Sequence, residues 1–174
     1  MSAEETRSAE DIQQAFRLAM RRVAATVAIV SAKNGADRHG TTATSVTSIS
    51  MDPPSVLVCF NQSSRLHDFL HKQDRFCINV LHTANVDVAR MFSSSASAAE
   101  RFASGDWRAD ADGVPYLAGA QANLFCHKEQ EISYGSHTIF IGRVLQALTR
   151  EEISPLIYRD GRYGAIAPDG DSLK

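Results

Sequence analysis

The chain has 174 residues, 44% hydrophobic and 22% charged, which suits one soluble globular domain with a real core. Its 18 Lys and Arg against 20 Asp and Glu leave a net charge of -2, giving nucleic acid or an anionic membrane surface no electrostatic hold. The opening MSAEETRSAED has no apolar leader, and no apolar run is long enough to span a bilayer, so a cytoplasmic chain is expected.

Residues 1–8 and 167–174 read as polar tails around one domain, 9–166. Ser8 to Arg22 predicts an amphipathic helix: Ser8 and Asp11 fit the S-x-x-[DE] cap, and Ile12, Ala15, Phe16, Ala19 and Met20 recur at spacings of three and four. Val23 to Ala32 is β-branched and nearly continuous in apolar character, as in a buried strand. Asn34-Gly35 signals a turn, and Gly40 is expected to close a short polar connection. The hydroxyl-rich stretch TTATSVTSIS (41–50) follows, then Asp52-Pro53-Pro54 and a strand over Ser55 to Phe60.

A short helix is expected around Leu66 to His71, a strand over Arg75 to Leu81, and a helix over Ala84 to Phe92. Ser93 to Ala99 reads as a small-residue linker and Glu100 to Gly113 as a polar stretch around one Trp. Long strands return at Ala120 to Ser133 and Thr138 to Leu148, joined across Tyr134-Gly135-Ser136-His137. A last strand, Leu156 to Arg159, meets an Asp160-Gly161 turn and Tyr163. Strands outnumber helices without alternating with them, which favours an antiparallel barrel with peripheral helices over a doubly wound sheet.

The chemistry-bearing patterns are few. Cys59, Cys77 and Cys126 form no CxxC pair and sit in apolar contexts, as reduced, buried thiols would. Six histidines fall into no metal-ligand spacing, and the His67/His71 pair lacks an HExxH arrangement, so no metal is expected. No G-x-S-x-G, GxGxxG or GxxxxGK[ST] is written in the chain, so a nicotinamide would have to bind in a non-Rossmann manner. Two features remain. Seven of the ten residues in 41–50 carry hydroxyls, forming either a ledge that faces a polar ligand or a solvated β-edge. Gly135-Ser136-His137, between two long strands, is either a ligand-facing corner or an ordinary surface turn.

Taken in order, FRLAMRRVAATVAIV, ATSVTSISMDPPSVLVCFNQSSRLHDFL, RFCINVL, MFSSSASAAERF…GDW, YGSHTIFIGRV and LIYRDGRYG resemble the short-chain flavin reductase family over residues 12–166. That family includes reductase components of two-component aromatic monooxygenases of the 4-hydroxyphenylacetate and phenol hydroxylase type. The resemblance implies a mainly β, Greek-key antiparallel split β-barrel of the FMN-binding type. It also implies a homodimer, hydride transfer from NADH or NADPH to FMN or FAD, and a partner monooxygenase.

Residue by residue, it places Thr44, Ser45, Val46 and Thr47 against the isoalloxazine, and Ser50, Asn61 and Ser64 along the ribityl and phosphate chain. Arg101 and Phe102 of the E-R-F match approach the phosphate end. His137 of the motif Gly135-Ser136-His137 supports nicotinamide binding, and Tyr163 borders the same cavity. Many members carry Asp where Ser136 stands, a departure that bears on the choice of pyridine nucleotide. Other readings are a split-barrel flavin oxidase or sensor that does not turn over free flavin, and a non-enzymatic barrel module.

Overall fold

The computed structural model describes residues 8–167, and its first helix begins where the capping pattern predicts. In α1 (Ala9–Met20) the Ser8 hydroxyl accepts the Asp11 backbone N–H at 3.1 Å, while the Asp11 carboxylate accepts the Ser8 N–H. Such a reciprocal cap contributes about 1 kcal/mol. None of the helix is buried, however, and its apolar stripe is open: Ile12, Phe16 and Met20 are 57%, 65% and 50% exposed.

The rest is dominated by strands. Val23–Ala32, expected as one strand, is divided into β1 (Ala25–Thr26) and β2 (Ala28–Asn34). Buried Val27 makes the break, donating its N–H to the Leu156 carbonyl and accepting from Leu81 N–H. β3 (Asp37–Ala43) follows a two-residue turn in which Gly35 takes a positive φ of 59°. Gly40 therefore lies inside a strand and closes no connection. A Cβ there would fall 2.9 Å from Phe92 Cε1, so only glycine lets that ring approach the strand.

β4 (Val46–Met51) takes the second half of the hydroxyl-rich stretch, and β5 (Pro54–Asn61), α2 (Arg65–Lys72) and β6 (Arg75–Val80) come next, close to expectation. A 3-10 turn, α3 (Val86–Ser93) and α4 (Ala98–Ala103) follow. α4, capped by Ser97 and Glu100, takes part of the stretch expected as linker and polar loop. β7 (Trp107–Ala109), β8 (Pro115–Leu117), β9 (Ala122–Tyr134), β10 (His137–Thr149), β11 (Ile157–Arg159) and β12 (Arg162–Gly164) complete the described chain.

Seven strands form one antiparallel sheet in the order β3-β2-β6-β9-β10-β5-β4. Its two edges, β3 and β4, are consecutive in the chain. Six inter-strand steps in a flat sheet would separate them by about 29 Å. Ala43 and Val46 are joined only by Thr44 and Ser45, a reach of about 11 Å. The sheet must therefore curl until the end of β3 lies close to the start of β4, and the β3–β4 seam carries no ladder, so the barrel stays open there. This is a split barrel.

Its interior holds Val30, Val58, Phe76, Ile78, Leu66, Leu70 and Phe140, all at most 1% exposed. Each such side chain stabilises the fold by roughly 1.5–3 kcal/mol. A second core lies outside the barrel, where Ile29 and Leu81 meet Phe92, Phe102 and Leu117. α3 and α4 are thus clamped to the barrel wall beside β3.

Candidate functional site

The hydroxyl-rich stretch is not one element: Thr41–Ala43 end β3, Thr44 and Ser45 cross the seam, and Val46–Ser50 begin β4. At the crossing the Ser45 hydroxyl donates to the Cys59 carbonyl at 2.9 Å, holding the link against β5. The segment Thr41–Ser45 borders three cavities in succession. Thr41 lines one of about 340 Å³ together with His39, Ser64, Arg65 and Arg101. Thr42, Ala43 and Thr44 line a second of about 360 Å³ with Tyr158 and Tyr163. Thr44 and Ser45 then face a third of about 780 Å³, closed on its far side by Phe16, Arg17 and Met20 of α1.

The first cavity is cationic. Ser64 caps α2, its hydroxyl accepting the His67 N–H at 3.2 Å, so the helix N-terminus opens here beside Arg65. Arg101 is held by its Nη atoms, which donate to the carbonyls of Gly40 and Ser94. Its Nε is buried with no partner among the described residues. Burial, then the like charge of Arg65, lowers the Arg101 pKa from its ordinary value. His39 is 7% exposed with its Nδ1 unpartnered, and burial followed by Arg101 and Arg65 brings its pKa down to about 4. Unpaired buried donors beside two guanidinium groups are costly in an empty protein. They fit an incoming anion with several acceptor oxygens, as a phosphate has.

The Gly135-Ser136-His137 corner is a tight hairpin turn with Gly135 at a positive φ of 56°. His137 pairs in register with Asn61 at the end of β5, and the Gln62 N–H donates to the Ser136 carbonyl at 2.9 Å. The histidine is thereby tied to the loop that leads into Ser64. Its ring is exposed, and Nδ1 lies 2.9 Å from the Ser136 hydroxyl. Asn61 shapes that loop by accepting the N–H and hydroxyl of Ser63 at 2.8 and 2.7 Å.

Among the residues singled out from sequence, Thr44, Ser45, Ser64, Arg101 and Tyr163 thus each line one or two of these three cavities, with Asn61, Gly135, Ser136 and His137 at neighbouring strand ends. Others stand apart. The Phe102 ring is 4% exposed in the outer core against Phe92 and Trp107, with Arg38 over its face, so it is not in the cationic cavity. Ser50 lies at the far end of β4, where its hydroxyl donates to the Asp52 carbonyl and accepts the Asp52 N–H, closing the turn into β5. Val46 packs partly against the interior core, and Thr47, next along β4, is exposed.

Sequence reasoning missed His39, Arg65 and Tyr158. An isolated histidine in a strand and an arginine opening a helix carry no motif; only the curl of the sheet brings them to Arg101. Two of the three cysteines are buried as expected: burial raises the Cys77 pKa well above its ordinary value and pushes Cys126 up to about 12, leaving inert thiols, whereas Cys59 is only half-buried.

The sequence model described as "Flavin reductase like domain" matches residues 20–167. The reductase component of the FADH(2)-dependent resorcinol hydroxylase of Rhizobium sp. (strain MTP-10005) is 41% identical over 163 residues, covering 92% of this chain and 91% of that one. The FMN reductase (NADH) RutF of Stutzerimonas stutzeri (strain A1501) is 34% identical over 160 residues, with 92% of each chain covered. The Streptomyces globisporus C-1027 NADH:FAD oxidoreductase SgcE6, solved in complex with NAD and FAD fragments, superposes with a TM-score of 0.86. It is 30% identical, covering 96% of this chain and 99% of that one. The split barrel with a hydroxyl-lined seam and the match over nearly its whole described length establish that the chain belongs to the flavin reductase family.

Proposed function

We propose that this flavin reductase passes a hydride from NADH or NADPH to FMN or FAD and releases the reduced flavin to a separate monooxygenase. The observation that carries this reading is the path of Thr41–Ser45, which runs from a cationic cavity past two tyrosines to an open cavity beside α1. A flavin has the matching sequence of parts: a phosphate, a polyol and a flat heterocycle. Arg101, Arg65, His39 and Ser64 would hold the phosphate, and the hydroxyls and amides around Thr44 and Ser45 would hold the ring edge. Bound flavin and nicotinamide supply the redox chemistry themselves; the chain contributes orientation, hydrogen bonds and exclusion of water. The exposed His137 ring is free to meet a nicotinamide through Nε2 while Ser136 holds Nδ1.

The names of the relatives support NADH as donor and a hydroxylase as recipient. Among the described residues no helix is long and apolar enough to cross a membrane. With free cysteines and a net charge of -2, we place the enzyme in the cytoplasm, binding neither membrane nor nucleic acid. The open stripe of α1, with Met51 84% exposed, supports a homodimer whose second copy covers these faces.

Purified protein mixed with a large excess of free FMN and NADH tests the reaction. Consumption of many equivalents of NADH per chain is expected. Consumption limited to one equivalent of bound flavin would favour the oxidase or sensor reading instead.

A further inference from the structure

We propose that His39 is the proton-sensitive member of the phosphate subsite: a phosphomonoester dianion entering the cavity draws a proton from solvent onto the His39 ring. Flavin mononucleotide binding would then take up a proton that riboflavin binding does not. The inference rests on the cavity being the phosphate end of the flavin site, and adds to it a residue and a pH response.

The surroundings of His39 explain why. Its ring is seated against Phe69 of α2, centroids 5.5 Å apart, and its strand neighbour on β2 is Ala32. Of the ring nitrogens, Nδ1 is buried without a partner, and no hydrogen bond engages the other among the described residues. The charged groups that line the cavity with it are Arg65 from α2 and Arg101 from α4; the remaining polar lining is Thr41, Ser64, Ser95 and Ser97. Among the described residues no carboxylate lines it. Glu100, the nearest acid on α4, turns back onto the Ser97 N–H and hydroxyl at 2.7 Å, and Asp68 of α2 faces His67. Arg38, next on β3, lies over Phe102.

With two positive groups and no negative one, a third charge on His39 is disfavoured while the cavity is empty. A phosphate dianion reverses the balance. It offsets both guanidinium charges and offers an acceptor to a ring N–H, which favours the imidazolium. No covalent bond is made; the proton comes from solvent and returns when the phosphate leaves.

Calorimetric titration of FMN and of riboflavin, each in two buffers of different ionisation enthalpy, counts the protons exchanged. Near pH 6.5, wild type is expected to take up about half a proton more than His39→Gln on binding FMN, if the ring recovers its ordinary value. The subtraction removes the proton released by the phosphate itself, whose second ionisation lies near pH 6. Riboflavin should give no difference between the two proteins. Equal counts with FMN, while FMN still binds more tightly than riboflavin, would overturn the role of His39 and leave the phosphate reading standing. FMN binding no more tightly than riboflavin in either protein would overturn both. Should His39→Gln fail to fold, NMR titration of the His39 ring in wild type replaces it: its midpoint should rise with FMN and stay put with riboflavin. A midpoint unmoved by FMN would overturn the proposal.

Discussion

The two ends of the hydroxyl-lined seam are built differently. At the cationic end every wall is anchored: β3 lies in the main sheet, α2 buries Leu66, Phe69 and Leu70, and α4 is fixed through Phe102. Arg101 is braced on two backbone carbonyls, so its charge is held in place before any ligand arrives. At the other end the far wall is α1, which buries nothing and is tethered by a salt bridge from Arg21 to Asp160 at 2.9 Å and by the Asp160 N–H donating to the Arg21 carbonyl. An anion has to be met by preorganised donors. A flat ring can be accepted by a roomier, less rigidly walled cleft.

Breaking the anchored side should have the largest effect. Phe92 meets Phe102 edge-on, packs at a tilt on Trp107 and abuts Gly40, so Phe92→Ala is expected to cost about 3–5 kcal/mol, seen as a marked fall in the thermal unfolding midpoint. His137→Ala sharpens the comparison at the hairpin corner. Because the ring is exposed and Ser136 is its one side-chain partner among the described residues, a drop of roughly tenfold in kcat/KM for NADH is expected, or about 1.4 kcal/mol, with flavin affinity unchanged. Steady-state kinetics beside flavin fluorescence titration would check it; a loss of flavin binding would assign His137 to the flavin instead. On the loose side, Phe16→Glu should alter unfolding free energy by no more than about 0.5 kcal/mol, since the side chain is exposed in the single chain. Sedimentation should nevertheless show weaker self-association. A large fall in stability without any change in mass would show that α1 matters within one chain.

Much of the fold was legible in sequence, because barrel strands carry long apolar runs and the Ser8–Asp11 cap is a local signal. The boundaries that failed have local causes. Gly40 is glycine on account of Phe92, a contact 52 positions away that no turn rule can see. α4 is short and begins inside a serine-rich stretch, so composition hides its cap. For the site, the hydroxyl-rich stretch stood out, yet its division between two strands follows only from the curl that brings β3 and β4 together. Ser50 belongs to the same hydroxyl-rich stretch as the seam residues and Phe102 follows Arg101, but strand length and helix rotation carry their side chains elsewhere. His39 and Arg65 went unnoticed for the converse reason: the cavity gathers them from β3 and α2, and neither segment carries a pattern by itself.

The most direct test of the account is the ratio of kcat/KM for FMN to that for riboflavin, measured with saturating NADH in wild type and in Arg101→Ala. A charged hydrogen bond contributes about 1.5–3 kcal/mol. Wild type should therefore prefer FMN, and the substitution should reduce that preference by roughly tenfold to a hundredfold. Turnover of riboflavin should be affected far less. An Arg101→Ala protein that keeps the full preference for FMN would contradict the assignment of the cationic cavity to the phosphate.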